Sequence, residues 1–148
     1  MKKNSLLSRV KNPTVKIGIV ASLFNQQYVD GLLSACLHNL PNTLVTVLRV
    51  PGAFEIPLST QRLLQQKDIA AVITFGVIWQ GKTAHADLIG STVTQALMDL
   101  MLKYNKPVLH QILMVTNEKQ ARERCFGTKL NRGSEAAEAV LQLLQSEN

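Results

Sequence analysis

The stretch VKIGIVAS, residues 15–22, decides the fold. It is short, β-branched and almost wholly apolar, without the polar alternation of a half-solvated strand. Such a run predicts a strand buried on both faces, which belongs to a parallel sheet covered by helices above and below. The flanking chain agrees. Gln26–Leu40 sets Val29, Leu32, Leu33, Cys36, Leu37 and Leu40 at helical spacing, and Pro41 closes that helix. Thr43–Val50 predicts a second strand, broken by Pro51-Gly52, and Ala53–Gln66 predicts a helix that tolerates Pro57 in its first turn. A third strand over Ala70–Val77, a loop through Gly81, a long helix over Ala84–Tyr104 and a fourth strand over Pro107–Val115 follow. Asn117–Arg124, opened by a capping asparagine, and Asn131–Gln145 predict the last two helices.

Strand and helix thus alternate four times. The fold class this predicts is α/β: a three-layer α/β/α sandwich around a short parallel four-stranded sheet, with right-handed crossovers. A chain of 148 residues is the size of one domain, with residues 1–14 expected as a loosely ordered N-terminal arm. Ligands of such sheets bind beyond the carboxyl ends of the strands. Four segments therefore become site candidates: Ser22–Gln26, Pro51–Glu55, Val77–His85 and Met114–Asn117.

Composition narrows the partners. Apolar residues make up 46% and charged residues 18%, an ordinary globular balance. The longest apolar runs, such as Ile69–Phe75, are strand-length and too short for a membrane span. Met1-Lys2-Lys3-Asn4-Ser5 is basic, but no apolar signal core follows it, so the expected location is cytoplasmic. Cys36 and Cys125 lie far apart and lack metal-ligand spacing; they read as free thiols, Cys36 in the core. The net charge of +6 with a pI near 9.6 is locally dense only over Lys119–Arg132. Aromatic residues are too few for a nucleic-acid stacking platform, so an anionic metabolite is the economical partner.

Gly76-Val77-Ile78-Trp79-Gln80-Gly81-Lys82-Thr83 matches the nucleotide-binding pattern G-x-x-x-x-G-K-[ST], between a strand and a helix as that motif requires. Context argues against a nucleotide. The variable positions of that loop must curl so that backbone N–H groups surround a phosphate, and Val77, Ile78 and Trp79 are bulky, the first two favouring extended backbone. The fourth strand ends Ile112-Leu113-Met114-Val115, with no aspartate to hold magnesium. What survives is an anion turn. Gly81, Lys82 and Thr83 stand at a helix start, where unpaired N–H groups and the helix dipole favour a phosphate monoester.

His85 follows within a turn of that helix start, with Asp87 two residues on. Histidine suits proton transfer near neutral pH, and a bound phosphate beside it would favour its protonated form. His38 lies on a predicted helix and reads as a surface residue. At Val50–Pro57 a strand ends on Pro51-Gly52, and a helix opens with the N–H groups of Ala53 and Phe54; Glu55 can accept hydrogen bonds from a polyhydroxylated chain or cap the helix. Phe24 and Asn25 set an aromatic face and an amide at the same edge of the sheet.

VPGAFEIP (50–57), GVIWQGKTAHAD (76–87) and NRGSEAA (131–137), taken in series, resemble the lumazine synthase family over about residues 15–145. The first motif is nearly family-specific, and the second carries the family's G-x-T-x-H core as Gly81, Thr83 and His85. The resemblance implies a flavodoxin-like fold and an enzyme of riboflavin biosynthesis that needs no metal and no cofactor. It would condense 5-amino-6-(D-ribitylamino)uracil with 3,4-dihydroxy-2-butanone 4-phosphate to give 6,7-dimethyl-8-ribityllumazine. It further implies a homo-oligomer, either a pentamer or an assembly of pentamers, with active sites between subunits, and riboflavin synthase as a partner; no nucleic acid and no membrane enter.

By matched position, the resemblance makes Phe24 the stacking partner of the pyrimidine, with Asn25 beside it. Ala53, Phe54 and Glu55 would hold the ribityl chain, and Val77, Ile78 and Trp79 would border the ring through backbone groups. Lys82, Thr83 and Arg124 would bind the phosphate, and Arg132, where the family usually has lysine, the pyrimidine edge. His85 would move protons with Glu135 in support. The chain departs from the family at Gln80 (usually Arg), Ala86 (usually aromatic) and His110 (usually Phe), the last carried over as an aminouracil contact. A Gly-Thr-Lys triplet at 127–129 is also shifted against the family pattern, which leaves the local alignment open by one residue. Two other readings compete: a riboflavin synthase of the same fold, which the phosphate residues argue against, and a flavin or lumazine carrier without turnover.

Overall fold

The computed structural model describes residues 16–40, 45–81 and 84–145. The predicted N-terminal arm lies outside the described residues, as do Lys82 and Thr83. Strand β1 runs over Lys16–Ser22, and from Ile17 onward every residue is buried. Ile17, Ile19 and Ala21 enter one apolar cluster while Val20 enters the other, the period-two alternation of a strand covered on both faces. Helix α1 follows over Gln26–His38, then β2 over Val45–Val50 and a single 3-10 turn over Ala53–Glu55 leading into α2, Ile56–Leu64. Strand β3 spans Ile69–Trp79, α3 His85–Tyr104, β4 Val108–Val115, α4 Glu118–Phe126 and α5 Arg132–Gln145.

The four strands are parallel in the order β2-β1-β3-β4. Helices α1, α4 and α5 cover one face, packing Leu32, Cys36, Ala121, Cys125, Ala137 and Val140 against Ile19, Ile73 and Phe75. Helices α2 and α3 cover the other, with Ile56, Leu63, Val93 and Leu97 against Val20, Val72 and Ile112. The three-layer α/β/α arrangement is the one predicted. Each fully buried aliphatic side chain stabilises it by about 1.5–3 kcal/mol. Among the described residues no helix is long and apolar enough to cross a membrane. Both cysteines are free and buried; burial pushes the Cys36 thiol up to about 12 and Cys125 up to about 11, the latter against the opposing pull of Arg124, so both stay protonated.

Helix ends follow local chemistry. Asn117 caps α4, its side-chain oxygen accepting from the Gln120 N–H at 2.9 Å, as the sequence predicts. Asn105 ends α3 in the left-handed region, φ 51°, with its N–H on the Met101 carbonyl. Pro57 sits in the first turn of α2, where its missing N–H costs nothing. Several element ends shift by one or two residues from expectation, and two differences bear on the site. The predicted helix from Ala53 is a 3-10 turn followed by a separate α-helix. Strand β3 continues two residues past Val77, because β4 keeps pairing with it: Ile78 with Met114 and Trp79 with Val115.

Candidate active site

Strand order places the site. From β1 the chain moves outward to β2, then returns across β1 to β3, so the helices leaving β1 and β3 lie on opposite faces of the sheet. A crevice opens between these two carboxyl ends. The β1–β3 pairing stops at Ala21 and Phe75. Beyond it, β3 extends through Trp79 paired only with β4, so its other backbone edge faces the crevice without a strand partner.

A cavity of about 450 Å³ fills this crevice, a volume in the range of small-molecule sites. Its walls come from all the predicted turns but the one after β4. Ser22, Phe24 and Asn25 follow β1; Gly52, Ala53, Phe54 and Glu55 follow β2; Val77, Ile78 and Trp79 end β3; and His85, Ala86 and Ile89 open α3. Phe24 and Phe54 are 69% and 65% exposed, so two aromatic rings stand free at the mouth for a planar ligand.

The geometry of these walls comes from a few directional bonds. Asn25 adopts φ 56°, a left-handed turn that asparagine tolerates, and its amide donates to the Val77 carbonyl at 2.6 Å. The side chain thus takes the place of the strand partner that β3 has lost. Backbone N–H groups of Leu23 and Phe24 donate to Val50 and Pro51, tying the first turn to the second. Arg49, which sequence reasoning passed over as a strand residue, donates to the Ala21 and Ser22 carbonyls and pairs with Asp30 at 2.8 Å, clamping β1, β2 and α1 together.

Asn25→Ala tests this arrangement. It removes one hydrogen bond and leaves a Cβ residue at positive φ without local compensation, an expected loss of about 1–3 kcal/mol in urea unfolding. Asn25→Gly recovers the backbone part and should lose less. An alanine variant as stable as the parent removes Asn25 from this role.

His85 is the first residue of α3 and is exposed to the cavity. Among the described residues no side chain caps this helix, and its first turn carries Asp87, which accepts from Gln80 at 3.1 Å. Gln80 is therefore engaged with the first turn of α3.

Four of the residues carried over from the resemblance stand away from this cavity within the chain. His110 lies on the edge strand β4, its Nε2 2.7 Å from the Thr94 hydroxyl, in a separate groove with Gln80, Asp87 and Met114. Arg124 reaches Gln120 one turn back on α4 at 3.4 Å. Arg132 and Glu135 pair with each other at 2.8 Å on the first turn of α5. Conversely, Ile89 lines the cavity though it was not singled out, because an apolar residue one turn into a helix carries no signal in sequence.

Comparison with known proteins identifies the family. The family model of 6,7-dimethyl-8-ribityllumazine synthase matches residues 14–148. A 6,7-dimethyl-8-ribityllumazine synthase of Aquifex aeolicus is 38% identical over 134 residues, covering 87% of each chain. One from Cytophaga hutchinsonii is 35% identical over 132 residues, covering 86% of this chain and 83% of that protein. With the motifs at the mouths of β1, β2 and β3 gathered around one cavity, the chain belongs to the 6,7-dimethyl-8-ribityllumazine synthase family.

Proposed function

We propose that the chain condenses 5-amino-6-(D-ribitylamino)uracil with 3,4-dihydroxy-2-butanone 4-phosphate to form 6,7-dimethyl-8-ribityllumazine. The observation that carries this is the cavity itself: aromatic faces, a β3 backbone edge beyond its β1 partner and His85, the first residue of α3, converge there. The amine of the uracil attacks the ketone, and loss of water gives an imine. Elimination expels phosphate, and ring closure expels a second water. Each step moves protons, which is the work of His85. The ring lies against Phe24, with its polar edge on the backbone of Val77–Trp79, and the ribityl chain runs along Ala53–Glu55. Holding both reactants in one cavity replaces a bimolecular encounter by an oriented one.

The phosphate falls to the N-terminal side of α3, with Lys82 and Thr83, and to Arg124. His110, Arg124, Arg132 and Glu135 reach a cavity from a neighbouring copy, in a pentamer or an assembly of pentamers. Leu88, Met98 and Leu102 of α3, 63%, 47% and 71% exposed, support that reading, since such a run of apolar side chains along one helix suits contact with another subunit. The location is cytoplasmic, and riboflavin synthase is the natural consumer of the product.

Mixing the two substrates with the protein should produce lumazine absorbance and fluorescence well above the protein-free rate. Absence of that gain overturns the reading, and sedimentation of the same preparation reads the assembly.

A further inference from the structure

Three aromatic rings connect the cavity to the far side of the α1–α4 layer. Trp79 lines the cavity at the end of β3, where the strand has lost its β1 partner. The Tyr28 ring, on the first turn of α1, meets the indole edge-on, with centroids 5.8 Å apart and planes at 75°. On its other side Tyr28 meets Phe126, the last residue of α4, with centroids 5.7 Å apart. Phe126 is itself seated on α1: a Cβ at Gly31 would approach its Cε1 to 2.5 Å, so glycine there is what lets the ring lie flat against the helix. Tyr28 is half-buried and does not line the cavity.

We propose that Tyr28 is a positioning residue of the active site, holding the Trp79 indole as a fixed wall against which the aminouracil ring is bound. The edge-to-face contact is the favourable geometry for two aromatic rings and restricts rotation of the indole about its side-chain bonds. Phe126 closes the stack from the solvent side and keeps Tyr28 from swinging outward. A tryptophan left without this support samples other rotamers, and binding then has to select the one that fits. The loss falls on substrate binding. Proton transfer at His85 is untouched, because His85 enters from α3 on the opposite side of the cavity.

The inference rests on the cavity being the aminouracil site, and the experiment separates the two. Trp79 is the single tryptophan of the chain, so its emission reports this wall alone. In Tyr28→Ala, acrylamide quenching of Trp79 should rise about twofold, and KM for the aminouracil should rise about three- to tenfold, the scale of one aromatic pair, with kcat within about twofold of the parent. Tyr28→Phe keeps the ring and should restore both values. Phe126→Ala, at a half-exposed position, should move both in the same direction by less. A Tyr28→Ala enzyme with parental KM overturns the proposal while the parent still makes lumazine. So does an equal fall in kcat, or a defect that phenylalanine does not rescue. If the parent makes no lumazine, the functional reading falls instead, and unchanged quenching in Tyr28→Ala then removes Tyr28 as the support of Trp79.

Discussion

His85→Ala should lower kcat for lumazine formation about a hundredfold, the lower end of what a positioned proton donor and acceptor contributes. The loss is bounded from above, because the condensation proceeds unaided and the cavity still brings the reactants together. KM for the aminouracil should change little, since the ring contacts come from Phe24, the Trp79 indole and the β3 backbone edge, and ligand quenching of Trp79 should persist. That combination, a kcat defect with binding intact, is the signature of an interaction made in the transition state. His85→Gln, polar but unable to shuttle a proton, should resemble alanine. Equal rates in variant and parent would remove His85 from the mechanism, and loss of Trp79 quenching would recast it as a binding residue.

Gly133→Ala is the substitution expected to cost the fold most. A Cβ at this position on α5 would overlap the Leu32 carbonyl oxygen of α1, with the carbonyl carbon at 2.9 Å and the Leu32 Cα at 3.0 Å. The obstacle is backbone, so no rotamer change relieves it; α1 and α5 must separate. Alanine gains about 1 kcal/mol of helix propensity over glycine, but overpacking costs about 1–3 kcal/mol and more where the neighbour is rigid. The separation also loosens Ala136, Ala137 and Val140, all buried in the same cluster. A net loss of about 2–3 kcal/mol is expected, a large share of a domain's total stability. The melting temperature should fall by about 5–10 °C. A Gly133→Ala protein that melts with the parent would show that the two helices have room to spare.

Gly133 also shows where reading the sequence stops. Its place in the NRGSEAA stretch was legible as a family mark, but the reason for a glycine there is a helix crossing that only the packed chain reveals. Strand β1 was legible because burial on both faces erases polar alternation, and the turns after β1, β2 and β3 were legible because parallel topology sends ligands to those ends. Asn25 was legible as a residue at the right edge; its bond to Val77 was not, since it depends on the β1–β3 pairing stopping four residues before β3 ends. The helix expected from Ala53 became two pieces because local patterning does not separate a 3-10 turn from the α-helix that continues it. Tyr28 was hidden for a related reason. On α1 it is one apolar residue among several, and its importance comes from Trp79, about fifty residues later in the chain.

Asn131, buried between α4 and α5, donates to the Cys125 and Gly127 carbonyls while its oxygen accepts from the Ser134 N–H. One side chain therefore ends α4 and begins α5, and the spacing of Arg124 from Arg132 is set by these anchors. The exposed residues between them, Thr128, Lys129 and Leu130, carry none of that load. They form a cassette: a segment of equal length whose letters can be rewritten, for a label or a relative's sequence, while the two arginines keep their register.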